Sequence, residues 1–332
     1  MKNIHDFNQI VIGGLQRSGT SLLRAMLGSH ADIAFIQWDA PLLTKFFEIY
    51  KNKTFNIEEA KCVIIELLQH EKIKENKIEF DLNYLTHLIE TEKKEYIYEE
   101  LYSILLNYHL KRSNKKMIGI KTPHNEFYAN EIMKRFPNTK FIHVIRNPLD
   151  VFTSLQEAER KWWNNTTHYY THIKLWHDSV KIGLSNSTKY PKNYYLLKYE
   201  DLVTKPEYII KSICNFLEIE YYNEMLEMKN HSGWKGQNSS FNNPLHSSKM
   251  NIKSINRYKN NVHERIVWTY SLLLGELMSK LSYRIEKRDR LINLYIIGVY
   301  KIYATIHILR KMLISKIRAS SHYKIIKAII RK

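Results

Sequence analysis

The chain has only two cysteines in 332 residues, Cys62 and Cys214, set too far apart for a disulfide framework or for metal-ligand spacing. That excludes a small stapled secreted scaffold and a cysteine-based zinc module, expects no metal, and favours a reducing compartment. No run reaches the roughly 20 consecutive apolar residues of a spanning helix. The segment Met1-Lys2-Asn3-Ile4-His5-Asp6 leads within a few residues into an apolar strand pattern, which leaves no apolar secretory leader and predicts a cytoplasmic protein. On that expectation glycosylation sequons, among them those beginning at Asn164, Asn165, Asn186 and Asn238, carry no signal. No internal repeat and no nucleic-acid motif is present, so no nucleic-acid partner is expected.

The chain is also short of acid. Fifty-one Lys and Arg stand against 33 Asp and Glu, a formal charge of +18, which calls for an anionic partner. From Arg284 to Lys332 thirteen Lys or Arg face only Glu286 and Asp289, so this stretch carries +11 of the total. Among those charges lie Leu291 to Tyr300 and then Ile302, Tyr303, Ile306, Ile308 and Leu309, interrupted by Lys301 and His307. Residues 284–332 are read as a basic amphipathic helical segment resting on an anionic membrane surface at the inner face. A helix laid on the domain surface or a partner-binding helix are the alternatives.

A hydrophobic content of 44% with 25% charged residues is ordinary for a globular chain, and the length suffices to bury a full α/β core. Short apolar runs at Ile10–Ile12, Ile33–Ile36, Met117–Ile120, Lys140–Ile145 and Tyr194–Leu197 read as strands. Helical patterns separate them. One covers Glu126 to Phe136, a second opens at Pro148 with Asn147 as N-cap, and a third covers Pro206 to Leu217. The fold class is therefore α/β, a P-loop-like parallel sheet covered by helices on both faces. Residues 57–111 read as a continuously helical insertion, 229–249 as a long Gly/Asn/Ser-rich loop, and 1–283 as one domain.

One corner of this pattern carries chemistry. Ile10-Val11-Ile12-Gly13-Gly14-Leu15-Gln16-Arg17-Ser18-Gly19-Thr20-Ser21-Leu22-Leu23 spells strand, tight loop and helix, which aims first-turn N–H groups and the positive end of a helix dipole at an anion. Gly14, Gly19, Thr20 and Ser21 fit G-x-x-x-x-G-K-[ST], except that Thr20 stands where a nucleotide triphosphatase has its lysine. The β/γ-phosphate clamp is missing, which opposes a P-loop kinase; Arg17 could set a guanidinium beside a terminal anionic group instead.

With Met117-Ile118-Gly119-Ile120-Lys121-Thr122-Pro123 and Phe141-Ile142-His143-Val144-Ile145-Arg146-Asn147-Pro148-Leu149-Asp150-Val151-Phe152-Thr153-Ser154, this loop resembles the sulfotransferases that use 3'-phosphoadenosine-5'-phosphosulfate (PAPS). Arg17-Ser18-Gly19-Thr20-Ser21-Leu22-Leu23-Arg24-Ala25-Met26-Leu27 is most similar to tyrosylprotein sulfotransferases and their bacterial relatives, and the likeness runs from about Ile10 to about Tyr283. The resemblance implies that Arg17, Ser18, Gly19, Thr20 and Ser21 hold the 5'-phosphosulfate and that Arg146 and Ser154 hold the 3'-phosphate. Lys121 then stabilises transferring charge, and Tyr199, before Glu200-Asp201, lies near the nucleotide. Arg257 resembles a late basic segment that closes over the cofactor. The product would be 3'-phosphoadenosine-5'-phosphate (PAP). Read without the family, Arg146 could pair with Asp150 at i,i+4.

The tyrosylprotein enzymes carry a Glu pair after the first helix where this chain has Phe35-Ile36-Gln37-Trp38-Asp39-Ala40-Pro41. Asp39 is the nearest carboxylate and the first choice of general base; His124 is the second. The aromatic segment Lys161-Trp162-Trp163-Asn164-Asn165-Thr166-Thr167-His168-Tyr169-Tyr170 suits a sugar face. The expected function is sulfuryl transfer to a hydroxyl of a carbohydrate or lipid-linked glycan. A protein-tyrosine acceptor is the runner-up, and a non-catalytic membrane scaffold with this fold is the reading from another class.

Overall fold

The computed structural model describes residues 8–36, 39–74, 79–163, 166–228, 252–286, 293–303, 305–306 and 309, the side chains of Trp162 and Trp163 excepted. The chain forms two compact units, Met1–Arg146 with Ser179–Ile255 and Asn147–Asp178 with Asn256–Lys332.

The strands of the first unit are, in chain order, β1 (Gln9–Gly13), β2 (Ile33–Ile36), β3 (Thr54–Asn56), β4 (Glu95–Ile97), β5 (Met117–Lys121), β6 (Lys140–Ile145) and β7 (Tyr194–Lys198). Five of them make a sheet in the order β2-β5-β1-β6-β7, every pairing parallel, with Val11 opposite Ile120 on one side and Phe141 on the other. All five were legible as apolar runs, as expected of strands buried on both faces. Side-chain alternation divides the core in two. Val11, Ile118, Ile120 and Phe141 join the helices Tyr98–Ser113 and Ala129–Arg135 on one face. Ile10, Ile12, Ile142 and Val144 meet α1 (Thr20–Gly28) and the helix Pro206–Leu217 on the other. Because β1 is flanked by β5 on one side and β6 on the other, its C-terminal end opens on the crevice where a doubly wound sheet binds ligands.

The insertion differs from its sequence reading. Residues 57–111 are interrupted by β4, which pairs antiparallel with β3 just before the insertion. The central residues Phe55 and Tyr96 are buried while their neighbours are exposed, an alternation too short to stand out among the surrounding charges. The helix Ile57–Gln69 then starts from a capping box in which Asn56 Oδ1 accepts from Glu59 N–H and Glu59 accepts from Asn56 N–H, each at 3.0 Å. The next long helix restarts at Tyr98, with Glu100 accepting the Ile97 N–H at 2.9 Å. The pattern expected over Glu126–Phe136 begins as a 3-10 turn, Asn125–Tyr128, before the α-helix Ala129–Arg135.

The second unit contains the helices Pro148–Ala158 and Glu264–Lys280, the first half of the helix Tyr169–Lys189, and helical residues 293–303. Asn147 caps the first as expected, its Oδ1 accepting from Leu149 N–H at 3.0 Å and Asp150 N–H at 3.4 Å. The Asp150 carboxylate accepts the backbone N–H groups of Asn256 at 2.8 Å and Tyr258 at 3.1 Å. Phe152, His172 and Tyr270 pack together with tilted rings in its core, where burial pushes the His172 pKa down to about 3 and its Nδ1 meets the Tyr270 hydroxyl at 2.8 Å. Cys62 is exposed and Cys214 buried, and neither is in a disulfide.

Candidate active site

Past β1 the chain turns sharply because both the N–H and the hydroxyl of Ser18 donate to the Leu15 carbonyl, at 3.1 and 2.7 Å. Arg17 is held at φ 71, an uncommon setting for a residue with a side chain and one that concentrates at ligand sites. Gly19 follows at φ 104 and serves as N-cap of α1 without a capping side chain, and no acid stands in the first turn. The helix N-terminus therefore keeps its positive end uncompensated by any carboxylate of its own first turn.

Arg146 leaves the C-terminal end of β6 and is buried. Its Nη1 donates to the Arg17 carbonyl at 2.9 Å and its Nη2 to the Ser254 carbonyl at 2.6 Å. The guanidinium also lies 4.5 Å from the centroid of the Tyr199 ring, a cation–π distance. Tyr199, just past β7, bonds Ser254 Oγ through its hydroxyl at 2.8 Å. The other edge of its ring lies so close to Gly19 that any Cβ there would strike Cδ2. The Arg17–Gly19 turn, Arg146 and Tyr199, three segments far apart in sequence, are thus one assembly.

Lys121 closes β5 and is almost wholly buried. Its ammonium makes an ion pair with Asp39, and the Thr122 hydroxyl donates to the Ala40 carbonyl at 2.7 Å, so the two segments are tied twice. Burial lowers the Lys121 pKa first of all; Asp39 opposes that, while Arg24 and Arg17 lower it further. Arg24, one helical turn beyond Thr20, is itself buried and within electrostatic reach of Asp39. Three cations, Arg17, Arg24 and Lys121, share a neighbourhood with one carboxylate, and an arriving anion would relieve their repulsion.

His124 sits at φ 73 and donates its backbone N–H to the Gly14 carbonyl at 3.2 Å, beside the loop. Its imidazole stacks on Phe127 at 5.7 Å, and burial lowers its pKa so that it is neutral at pH 7. Ser154 is buried in the helix Pro148–Ala158, and Arg257 makes an ion pair with Glu157; both belong to the second unit. Gln37, Trp38, the side chains of Trp162 and Trp163, and the loop 229–249 lie outside the described residues. Among the described residues no group of three or more His, Cys, Asp or Glu could hold a metal ion.

Sequence reasoning missed Arg24 and Ser254. Arg24 stands inside the family-like motif, where the sequence assigns it no separate role. Ser254 supplies a carbonyl, which any residue could, and the sequence signal fell on Arg257 three positions later.

A sulfotransferase family profile matches residues 9–224, from β1 to the first residue of the short helix Glu224–Glu227. The chain belongs to the sulfotransferase family. A Caenorhabditis briggsae protein named as a candidate protein-tyrosine sulfotransferase is 26% identical over 235 residues, covering 67% of this chain and 70% of that one. An uncharacterised Aquifex aeolicus protein is 26% identical over 227 residues, 66% of this chain but only 26% of its own length. The sulfotransferase domain of the curacin biosynthetic pathway superposes with a TM-score of 0.54 at 19% identity, over 84% of this chain and 99% of that domain. The sulfotransferase domain of a Synechococcus olefin synthase gives 0.54 at 16% identity, over 84% and 96%. These likenesses bear out the sulfotransferase fold, and with the family match they make the chain a sulfotransferase enzyme. Among the described residues no helix is long and apolar enough to cross a membrane.

Proposed function

We propose that this sulfotransferase takes its sulfuryl group from PAPS and delivers it to a hydroxyl of a carbohydrate or lipid-linked glycan. The observation that carries the donor reading is the assembly of Arg146, Tyr199, Gly19 and Arg17 at the N-terminus of α1, with Lys121 and its arginine neighbours close by. When bound, the donor supplies an activated sulfuryl group that departs from a phosphate. The N–H groups of Gly19, Thr20 and Ser21, together with Arg17 and Ser18, would hold that phosphate, and Lys121 would meet the charge growing on the bridging oxygen. Arg146 would serve the 3'-phosphate. Ser154 would join it, Tyr199 would border the nucleotide, and Arg257 would close over it, all three assigned by resemblance.

Asp39 would accept the proton of the incoming hydroxyl, with His124 as the second choice. Since Lys121 is paired with Asp39, the pair must part for this to occur. Charge growing on the leaving phosphate would draw the ammonium away and leave the carboxylate available to the proton. A peptide tyrosine acceptor is the second reading, supported by the name of the C. briggsae relative and opposed by Gln37-Trp38 in place of the Glu pair. Calorimetry tests the donor: PAP is expected to bind without magnesium and ATP weakly or not at all. Magnesium-dependent ATP binding with no PAP binding would replace this reading with a kinase. Turnover on glycan and tyrosine-peptide panels then separates the acceptors, and PAP binding with no turnover would favour the scaffold.

The basic tail is proposed to attach the enzyme to an anionic membrane surface. In the helix beginning at residue 293, Tyr300 and Tyr303 face Tyr170 and His168, while Leu294, Tyr295, Ile302, Ile306 and Leu309 are exposed by 60% or more. Residues 294, 302, 306 and 309 fall on one helical stripe, an apolar face framed by a segment of charge +11. Co-sedimentation with vesicles containing phosphatidylserine is expected, and with pure phosphatidylcholine vesicles it should be much weaker. Ile302→Glu with Leu309→Glu should release the protein from both; retention of the double variant would sink the attachment.

A further inference from the structure

We infer that Glu126 is a positioning residue that fixes the donor loop against the strand end bearing Lys121. The inference rests on the donor reading for its consequence and on the geometry of the first unit for its substance. Glu126 lies five residues beyond Lys121, in the 3-10 turn, and is wholly buried. Its Oε2 accepts the N–H of Gly14, the first loop residue, at 2.7 Å. The Gly14 carbonyl is taken at 3.2 Å by the His124 N–H. Both polar backbone groups of Gly14 therefore end on one short segment that starts at Lys121. The approach is close: a Cβ on Gly13 would lie 2.9 Å from the Glu126 nitrogen. A sheet strand sets where the loop begins, and this contact helps to set the angle at which it leaves.

Behind the carboxylate lies a chain of hydrogen bonds. Ser179 Oγ donates to Glu126 Oε1 at 3.0 Å, His143 Nε2 meets Ser179 Oγ at 3.1 Å, and His143 Nδ1 meets the Tyr194 hydroxyl at 2.8 Å. Every member can serve with either polarity. With Glu126 ionised, Ser179 donates to it, His143 donates to Ser179 through Nε2, and Tyr194 donates to Nδ1. With Glu126 protonated, the acid donates to Ser179, the serine to Nε2, and Nδ1–H to Tyr194. Oε2 accepts from Gly14 in both states, so the hold on the loop survives titration.

Among the described residues, Tyr194 on β7 is within electrostatic reach of Glu126 and His143 on β6 reaches it through Ser179, while His124 lies two residues away on its own segment. Burial keeps His143 neutral, pushed down to about 3, raises Tyr194 well above its ordinary value, and lowers His124. Burial likewise pushes Glu126 up to about 7, against the pull of bonds from its own N–H, Gly14 N–H and Ser179. A bound anion in the loop favours the protonated acid, so donor binding near pH 7 should take up a proton there.

Three measurements test this. Without ligand, hydrogen exchange in the peptide covering residues 13–22 should speed up in Glu126→Ala and stay near wild type in Glu126→Gln, which keeps an acceptor for Gly14. Exchange in residues 206–217 serves as the control for global unfolding. The PAP dissociation constant should rise about tenfold in Glu126→Ala and stay within about threefold in Glu126→Gln. Calorimetry in buffers of different ionisation enthalpy should show more proton uptake at pH 7 for wild type than for Glu126→Gln. Unchanged loop exchange in Glu126→Ala would overturn the inference, as would equal damage by Ala and Gln. Failure of the wild type to bind PAP would instead sink the donor reading and leave the exchange result to judge Glu126.

Discussion

Gly19→Ala is expected to lower turnover by about a hundredfold or more and to weaken PAP binding in parallel, in a protein whose sheet still folds. Two causes act together. At φ 104 any side chain is strained, at roughly 1–2 kcal/mol. The new methyl also collides with the Tyr199 ring, against which the Arg146 guanidinium lies and whose hydroxyl is bonded to Ser254. Either the ring leaves Arg146 or the loop retreats and takes the first N–H groups of α1 with it. A displacement near 1 Å at such a position costs about a hundredfold. Steady-state kinetics and calorimetry measure both losses, and circular dichroism checks the fold. If the collision matters more than the strain, adding Tyr199→Ala should recover part of the PAP affinity. Wild-type activity in Gly19→Ala would mean that the Gly19 corner does not receive the donor.

Lys121→Ala is expected to lower turnover by about a hundredfold to a thousandfold, the usual loss when a donor aimed at developing charge is removed. Asp39→Asn reports on the partner. As the base, Asp39 should contribute about a hundredfold to ten-thousandfold while PAP binding stays intact. A residue that only holds Lys121 would instead lose little in Asp39→Asn, and nothing at all in the Lys121→Ala background. The pH profile separates the cases further. Burial and the two arginines already lower the Lys121 pKa, and the Asp39 charge is what raises it. The ammonium is lost as pH rises through that lowered value, so the alkaline limb of the rate profile belongs to Lys121. Removing the Asp39 charge should move that limb to lower pH. A limb that stays in place would show that Lys121 does not limit the reaction.

What the sequence disclosed and what it hid follow a physical rule. The five sheet strands are apolar on both faces, so Ile10-Val11-Ile12 and its partners stood out. Asn147-Pro148 announced a helix start because cap and fixed φ are local effects. The loop was legible through its spacing and Arg146, Tyr199 and Lys121 through the resemblance alone; the structure joins the first three and sets Lys121 in electrostatic reach of Arg17. The ribbon of β3 and β4 was hidden because three residues with one buried side chain give no periodic signal. Arg24 and Glu126 carried no signal of their own in the sequence, and only the fold shows that both side chains turn inward. Ser254 acts through its main chain, which no residue identity encodes.

The grip on Arg146 joins residues 129 and 108 positions away, and Lys121 meets Asp39 across 82. None of these contacts can form within a local fragment, and closing such spans is the slow part of building a parallel sheet. A nascent chain on the ribosome therefore lacks the full set of contacts to Arg146 until residue 254 has emerged.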